Sequence, residues 1–345
     1  MPPPPNVARM RRCLATLVSL ALAVSAVAAG AADAQTKKKP PPPKPLCAPR
    51  VLVLSAMPVE LSAVLARLGP HFTVTPKTIA GRDYYVGGGH GEGVVLALTG
   101  IGPVNARRAV DAAFDAFTCG RKTAIREVVF SGVAGGDYIG DVVVPARWSL
   151  AGTQSFPVSS RALAVARKVA TKVQSQLLTK APAGDPACGC VTSPDAVTTV
   201  AVTHAPAVEV GGVGETTDPF TGRALPCVPG GGDVFGCTPC AAQTNAQRDG
   251  AAFVPGVVPF VDPAFFAGYN SSAAGPGYVA EDEETAAVAA ETAKRHVDFV
   301  AFRAVSDGGG DPLGLPGFPV QFFYYRQLAA DNAAIATVAF LNAGG

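Results

Sequence analysis

The chain has 345 residues, of which 48% are hydrophobic and 16% charged, and its formal net charge at pH 7 is +2. This balance excludes the strongly basic surface that nucleic-acid binding requires, so no nucleic-acid partner is expected. Because nearly half of the chain is apolar, it can bury a sizeable core, and its length suits one large domain or two small ones.

Residues 1–34 have the layout of a signal peptide. Three arginines within residues 9–12 precede an apolar run at residues 14–27, and residues 32–34 (ADA) supply a small-residue cleavage pattern. The apolar run is too short to span a bilayer, and no later run is long and apolar enough. We therefore expect an exported protein, periplasmic or secreted, without a membrane span after signal cleavage. Cleavage would leave the mature chain formally neutral.

Lysine and proline dominate residues 35–46, a composition typical of a stiff, extended linker without a core. From residue 47 onward, short apolar runs alternate with segments of helical periodicity. The predicted strands are residues 51–54, 84–86, 94–98, 128–130, 142–144 and 299–302, with a candidate strand at 207–210. The predicted helices are residues 58–68, 103–117, 161–178, 281–296 and 322–341, and glycines 87–89 are predicted to form a hairpin turn. This alternation predicts an α/β domain over residues 47–345, with a central mixed, largely parallel sheet flanked by helices.

The range 181–280 differs from the rest of the predicted domain. It is rich in Gly, Pro and Thr, lacks helical periodicity, and holds five of the seven cysteines that remain after Cys13. Structural disulfides are the default in an exported protein, so we predict a long, irregular, disulfide-bearing insertion. Cys237-Thr-Pro-Cys240 would also suit zinc or redox chemistry, but Cys188-Gly-Cys190 is too tight for a second zinc pair. No metal site is therefore predicted, and an odd cysteine count predicts one free or interchain thiol.

Candidate chemistry lies where the chain leaves the predicted strands. In a largely parallel sheet, ligands bind outside the carboxyl ends of the strands, and glycines there let the backbone approach a ligand closely. Two of these segments carry a carboxylate, Glu60 and Asp307. The four segments are residues 55–60, 99–102, 131–136 and 303–310.

Five motifs in this chain resemble, in the same order, those of methylthioadenosine/S-adenosylhomocysteine nucleosidases, which belong to the nucleoside phosphorylase/nucleosidase superfamily. They are SAMPVE at 55–60, TGIG at 99–102, SGVAGG at 131–136, DEETAA at 282–287 and RAVSD at 303–307. The resemblance implies a phosphorylase/hydrolase-like fold, a small-molecule nucleoside substrate, no cofactor, and a homo-oligomer.

The resemblance also implies roles for individual residues. Breaking an N-glycosidic bond builds positive charge on the sugar and negative charge on the departing base. Asp307 would be the general acid near base N7, with Ser306 positioning it. Glu60 would orient or deprotonate water on the other side of the sugar, and Glu284 would accept hydrogen bonds from the ribose hydroxyls.

Further candidates for substrate binding are Val133, Ala134, Gly135, Glu283, Phe220 and Phe260. Two of them depart from the family pattern, because Glu283 stands where methionine is usual beneath the sugar and Val133 stands where serine is usual. Phe220 and Phe260 are candidates for the aromatic residue that stacks on the base, and ordinary packing is the alternative for both.

Each carboxylate also has a plainer interpretation. Glu284 would suit the first turn of the predicted helix at 281–296, where acidic residues favour the helix dipole. Asp307 would suit a turn before glycines. Glu60 would suit an exposed helix position.

Several functions compete at this stage. Hydrolysis is favoured over phosphorolysis, because the positions where phosphorylases of the superfamily place arginines hold Glu60 and Phe130. A nicotinamide site is not expected, because Asn105 occupies the third glycine position of the dinucleotide fingerprint. The four histidines are scattered, without a triad or a metal site. An inactive nucleoside-binding or storage-type homologue remains the alternative to an enzyme.

Overall fold

The computed structural model describes residues 48–69, 72–89, 92–183, 199–240, 277–315 and 317–344. The predicted signal peptide and linker lie outside these residues, as do Phe260, Cys188 and Cys190.

Strands and helices alternate along the described chain, as the sequence predicts. The strands are β1 Arg50–Ser55, β2 Thr73–Ile79, β3 Arg82–Gly89, β4 Glu92–Leu98, β5 Thr118–Cys119, β6 Lys122–Thr123, β7 Ile125–Tyr138, β8 Val142–Val144, β9 Arg147–Leu150, β10 Gln154–Pro157, β11 Lys180–Pro182, β12 Thr199–Ala201, β13 Val208–Val210, β14 Val213–Thr216, β15 Ala280–Asp282 and β16 Asp298–Gly309. The helices are α1 Pro58–Leu68, α2 Pro103–Ala116, α3 Ser160–Val173, α4 Gly232–Phe235, α5 Thr285–Arg295 and α6 Val320–Asn342.

The centre of the fold is a parallel set of strands in the order β4-β1-β7-β16. Their apolar runs are continuous because both faces of the sheet are covered, and Leu52, Val53 and Leu54 of β1 are fully buried. Antiparallel strands extend the sheet, with β3 and β2 beyond β4, and β15 pairing with the far end of β7. Helix α1 packs against α6, and α2 packs against α5. The predicted mixed, largely parallel sheet flanked by helices is confirmed.

The structure corrects the predicted hairpin turn. Gly87, Gly88 and Gly89 lie within β3 and pair with the antiparallel strand β4, so this chain reversal comes after Gly89. Another hairpin turn joins β2 to β3 at Ala80 and Gly81. Both turn residues have positive φ, 50° and 75°, as a two-residue hairpin turn requires. The glycine at 87 is explained by packing, because a Cβ there would collide with the ring of Phe72.

Three predicted ranges also change. The predicted helix at 281–296 begins at Thr285, because residues 280–282 form β15 and pair with β14 and β7. The predicted helix at 161–178 ends at Val173 and continues as a short 3-10 turn. The range 181–280 is not irregular throughout, because β13 and β14 join the central sheet.

The described part of this range carries the predicted cross-linking. Cys227 and Cys237 form a disulfide, and Cys240 is also disulfide-bonded. Outside this range, Cys119 is disulfide-bonded too. Both cysteines of the Cys237-Thr-Pro-Cys240 segment are therefore disulfide-bonded and do not offer thiolate ligands for zinc. Among the described helices, none is both long and apolar enough to cross a membrane.

Candidate active site

Glu60 joins the first helix to the centre of the sheet. The chain leaves β1, turns at Ala56 and Met57, and enters α1 with Pro58 in the first turn. The Glu60 side chain folds back, so that Oε2 accepts the backbone N–H groups of Ala56 (2.7 Å) and Met57 (2.8 Å). Its Oε1 accepts the N–H of Val133 on β7 at 2.8 Å. The side chain is buried, which excludes the exposed helix position weighed above.

The surroundings of Glu60 favour proton uptake. Burial raises the pKa of its carboxyl group, and this effect exceeds the opposing influence of Arg303 and of the three N–H donors. A carboxylate offers about four lone-pair positions, of which the three backbone donors occupy three. One position therefore remains for a water molecule or a ligand.

Arg303 is the ionic centre of the site, although it lies in the middle of β16 and is only 1% exposed. Its Nη2 lies 2.6 Å from Asp282 Oδ2 and 3.1 Å from Glu284 Oε2, and its Nη1 lies 3.7 Å from Glu60 Oε1. The guanidinium also lies over the ring of Phe130, 4.2 Å from the centroid. A buried cation needs this kind of pairing because desolvation is costly.

Two further hydrogen bonds complete the arginine's surroundings. Nη1 donates to the carbonyl of Val133 at 3.0 Å, and Nε donates to Thr285 Oγ1 at 3.0 Å. Arg303 therefore ties β7, β15 and the start of α5 together. The sequence motif contains Arg303, but its role was missed. The sequence does contain a signal for this role, because Arg303 is a charged residue inside an otherwise apolar strand. A strand that is buried on both faces can hold an arginine only if its charge is paired.

Asp282 and Glu284 precede α5 and do not lie in its first turn. Asp282 Oδ1 accepts the N–H groups of Glu284 (3.2 Å) and Thr285 (3.1 Å), as in an N-terminal cap. Glu284 Oε1 accepts the N–H of Gly102 at 2.8 Å, at the start of α2. Glu284 is buried at the N-terminal cap of α5, and its carboxylate accepts hydrogen bonds from Gly102 and Arg303.

Asp307 lies near the carboxyl end of β16, opposite Gly135 of β7. Ser306 Oγ donates to Asp307 Oδ1 at 2.7 Å. The side chain is 5% exposed, and burial raises the pKa of its carboxyl group to about 6, against the opposing hydrogen bond from Ser306. Its place within a buried strand excludes the turn interpretation.

The glycines of the third motif make room for the protein's own functional side chains. A Cβ on Gly132 would collide with Glu60 Oε1 and would lie 2.5 Å from Arg303 Nη1. A Cβ on Gly135 would lie 3.0 Å from Asp307 Oδ2. The contacts that a Cβ on Gly132 would make are too short for real Cβ atoms. The Glu60 and Arg303 side chains therefore require glycine at position 132.

Glu283 lies between Asp282 and Glu284 and also lines the cavity. Burial raises the pKa of its carboxyl group to about 7, and the charges of Asp307 and Glu60 add to the rise while Arg303 opposes it. Its side chain accepts a hydrogen bond from its own backbone N–H.

A cavity opens above these groups. Its described lining consists of Ala56, Met57, Glu60, Ile101, Val133, Ala134, Gly135, Phe220, Leu225, Val234, Phe235, Glu281, Glu283, Glu284, Ser306, Asp307, Phe318, Pro319, Phe322 and Phe323. One side is acidic and the other is apolar and aromatic. These lining residues include five carboxylates and no lysine, arginine or histidine.

The apolar side contains a segment that we call the apolar wall, formed by Phe220, Leu225, Val234 and Phe235. The Cys227–Cys237 disulfide closes this segment, and Arg326 Nε on α6 donates to Asp233 Oδ2 of α4 at 2.6 Å. Both side chains of this ion pair are fully buried.

Hydrogen bonds hold the two ends of the apolar wall. Asn105 Nδ2 of α2 donates to the carbonyl of Leu225 at 2.5 Å, and the N–H of Cys240 donates to Ser62 Oγ of α1 at 2.7 Å. Phe220 packs on the start of α2, because a Cβ on Gly102 would lie 2.7 Å from its ring. The wall is thus fastened to α1, α2 and α6.

A family model described as the phosphorylase superfamily matches residues 50–205. The protein Rv2293c of Mycobacterium tuberculosis is 40% identical over 200 residues, which cover 56% of this chain and 78% of that protein. The chain belongs to the phosphorylase superfamily. A second protein of the same organism, Rv2292c, is 59% identical over 66 residues, which cover 19% of this chain and 89% of that protein.

Solved structures share the superfamily fold. The 5'-methylthioadenosine/S-adenosylhomocysteine nucleosidase of Neisseria meningitidis is 20% identical with a TM-score of 0.51, covering 85% of this chain and 98% of that one. Futalosine hydrolase of Helicobacter pylori is 15% identical with a TM-score of 0.51, covering 85% and 97%. Because both structures are at most 20% identical to this chain, the similarity to them shows a shared fold alone.

The superfamily fold brings most of the predicted site residues to one cavity. Nine of the ten candidates line it, namely Glu60, Val133, Ala134, Gly135, Phe220, Glu283, Glu284, Ser306 and Asp307. Phe260 lies outside the described residues. Sequence reasoning missed Arg303 beneath the cavity and, on its apolar side, Leu225, Val234, Phe235 and three phenylalanines between 318 and 323. Leu225, Val234 and Phe235 lie in segments without a periodic pattern that would place them there.

Proposed function

We propose that this protein hydrolyses the N-glycosidic bond of a purine nucleoside or a 5'-substituted adenosine and releases the free base. The observation that carries the proposal is that Asp307 and Glu60, two buried carboxyl groups with raised pKa values, line one cavity. The superfamily fold, shared with the nucleosidase of Neisseria meningitidis, supports the proposal.

Asp307 is suited to act as the general acid. With a pKa of about 6, a useful fraction of its carboxyl groups carries a proton near neutral pH. Ser306 bonds one oxygen and leaves the other free to face the cavity. As the bond between the sugar and the base nitrogen breaks, its electron pair passes to the base, and Asp307 gives its proton to the base.

Glu60 is suited to act on water. Its three backbone donors fix the carboxylate, and its remaining lone-pair position accepts one O–H of the attacking water. The water oxygen bonds to the anomeric carbon as the base departs, and its proton passes to Glu60. The two carboxyl groups then exchange their protons with solvent, which restores the starting state.

Water is a better acceptor than phosphate in this cavity. Five carboxylates line the described cavity surface, without a basic side chain among the lining residues. Arg303 is engaged by Asp282, Glu284, Thr285 and the carbonyl of Val133. A phosphate dianion would meet repulsion from the cavity carboxylates, whereas a neutral water molecule would not.

The test is chromatographic release of free base from a panel of nucleosides, with and without phosphate. We expect phosphate-independent release, and we expect Asp307→Asn to lower kcat by about 10²- to 10⁴-fold. Asp298→Asn is the matched control, since Asp298 begins the same strand and its side chain is 45% exposed. It should leave kcat unchanged.

Two results would contradict the proposal. Turnover that requires phosphate would identify a phosphorylase. Binding of purine nucleosides without release of base, equally in the wild-type protein and in Asp307→Asn, would identify a binding or storage protein.

A further inference from the structure

The end of β16, just after Asp307, is rich in glycine and irregularly paired. Residues 308–310 are all glycine. The register of β16 against β7 shifts between Val305 and Asp307 and again between Gly308 and Gly309. Glycine has more backbone freedom than any other residue, and an irregularity locally disrupts the hydrogen-bond ladder. A carboxyl group on such a segment keeps one position only if other contacts fix the backbone.

Gln321, in the first turn of α6, makes a contact of this kind. Its side-chain Oε1 accepts the backbone N–H of Gly308 at 2.9 Å. This N–H belongs to the peptide unit that joins Asp307 to Gly308, and a peptide unit is planar. Holding the N–H therefore also fixes the direction of the Asp307 carbonyl and restricts the ψ angle of Asp307. Gln321 is 6% exposed, so little water competes for this hydrogen bond.

The Gln321 amide is itself held by Asp311, which lies in the loop between β16 and α6. Gln321 Nε2 donates to Asp311 Oδ2 at 3.4 Å. Only one orientation of the amide places its oxygen at the Gly308 N–H and its NH2 group at a carboxylate. Asp311 also accepts the backbone N–H groups of Leu313 (2.8 Å) and Leu315 (2.6 Å), so the loop is folded around this carboxylate.

Tyr325, one turn further along α6, fastens Asp311 to the helix. Its hydroxyl group donates to Asp311 Oδ1, and its side chain is fully buried. The hydrogen bonds thus run from Tyr325 through Asp311 to the Gln321 amide, and from there to the peptide unit after Asp307. Ser306 restrains the Asp307 carboxyl group directly, whereas this network restrains it through the backbone.

We infer that Gln321 is a positioning residue, which holds the peptide unit after Asp307 and so aims the Asp307 carboxyl group at the departing base. This inference rests on the proposed function, because that function makes Asp307 the proton donor. Gln321 is absent from the described cavity lining, so it acts through Asp307 without touching the substrate. A displacement of about 1 Å in a reacting group can lower the rate by about 100-fold.

The test compares Gln321→Met with Gln327→Met in nucleoside turnover. The first substitution removes the acceptor of the Gly308 N–H and keeps the length of the side chain. The second, its control, removes an amide from the same helix, where Gln327 bonds Asp331 instead of β16. We expect Gln321→Met to lower kcat by about 10- to 100-fold with KM unchanged, and Gln327→Met to leave both unchanged.

The pH profile of kcat separates positioning from a purely structural role. In the wild-type protein kcat should fall as the pH rises through the Asp307 pKa of about 6, because the acid must carry a proton. Burial raises this pKa, so a loosened strand end that admits water should move the fall to lower pH in Gln321→Met. Glu283, which interacts electrostatically with Asp307, and Asp311 are present in every variant. A kcat reduced by one factor at all pH values, with the fall in its original place, would overturn the inference.

A milder pair of variants tests the same network. Tyr325→Phe removes only the hydroxyl group that holds Asp311, so kcat should fall in the same direction by about 2- to 10-fold. Tyr324→Phe is its control, because Tyr324 makes no hydrogen bond within the described residues. Circular dichroism and thermal unfolding check that each variant is folded. If Gln321→Met does not fold, this pair decides, and equal kcat values in the two tyrosine variants would overturn the inference.

The failures of the two proposals are distinguishable. If the wild-type protein releases no base from any nucleoside, the proposed function fails, and the role of Gln321 in proton transfer fails with it. If the wild-type protein releases base and Gln321→Met equals Gln327→Met in kcat and in pH profile, only the role of Gln321 is overturned.

Discussion

The two sides of the cavity are built by different means. One side, which we call the acidic floor, comprises Glu60, Asp282, Glu283, Glu284, Arg303 and Asp307. Its residues lie on or beside the central strands, and most of them are held by several short hydrogen bonds or ion pairs. The apolar wall offers the cavity carbon surface, and its own segment is fastened by the Cys227–Cys237 disulfide, by the buried Arg326–Asp233 ion pair, and by hydrogen bonds to α1 and α2.

The acidic floor and the apolar wall therefore differ in what a substitution in each would change. In the floor, charges are buried and paired, so a change there disturbs the stability of the whole domain as well as its chemistry. In the wall, the side chains that face the cavity offer non-directional apolar contacts, so a change to one of these side chains should alter ligand affinity first. The wall at residues 220–235 also lies beyond the segment matched by the superfamily model, residues 50–205.

The largest effect on stability is expected from Arg303→Met. The substitution leaves three buried carboxylates without their shared cation, and we expect the free energy of unfolding to fall by about 3–5 kcal/mol. Urea denaturation measures it. Arg295→Met is the control, because its ion pair with Asp115 lies at the surface and should contribute at most about 1 kcal/mol. Equal losses in the two variants would show that the floor is not held by Arg303.

A smaller, pH-dependent effect is expected from Glu283→Gln. The folded-state pKa of Glu283 is about 7, above the ordinary 4.5, so the group stabilises the folded protein only while it is protonated. The contribution of protonated Glu283 to the free energy of unfolding is fully present below about pH 4.5 and is lost as the pH rises through 7.

The glutamine variant does not ionise and therefore avoids this loss. At pH 8 we expect it to exceed the wild-type protein by about 1–3 kcal/mol in the free energy of unfolding, and the gain should vanish toward pH 4.5. Denaturation curves across this pH range measure the difference. A constant gain at every pH would argue against a buried, raised-pKa carboxyl group in the floor.

The smallest effect is expected from the Cys227→Ser/Cys237→Ser double variant. Without the cross-link, the wall must be ordered when the ligand binds, so KM should rise by about 3- to 10-fold while kcat changes little. Steady-state kinetics on the nucleoside identified in the panel measures both. Cys119→Ser is the control, since it removes a disulfide cysteine on the β5–β6 hairpin that does not line the cavity. A fall in kcat with unchanged KM would mean that the wall supports the chemistry of the floor.

Much of the floor could be predicted because its residues follow strands that are visible in the sequence. Glu60 comes after the apolar run of β1, and Asp307 lies near the end of β16, and parallel strands bring these ends to one edge of a sheet. Arg303 could not be assigned a role in this way. Its partners Asp282 and Glu60 come from other elements, and only the assembled fold shows which carboxylates its guanidinium meets.

The wall was harder to predict. The Arg326–Asp233 pair joins residues 93 positions apart, and no periodic pattern around Val234 or Phe235 marks them as cavity residues. The helix predicted at 281–296 failed for a related reason. Acidic residues suit a first helical turn, but pairing of β15 with its neighbours and capping by Asp282 delay the helix to Thr285.

The amino-acid sequence by itself determined the alternation of strands and helices, the central sheet, and the strand-end positions of Glu60 and Asp307. These features depend on local periodicity and on the backbone hydrogen bonds that each segment must make. Only the tertiary structure decided which buried charges are paired, which carboxylates line the cavity, and which apolar residues close it. Those outcomes depend on distances between segments remote in the chain, and burial makes each of them strong.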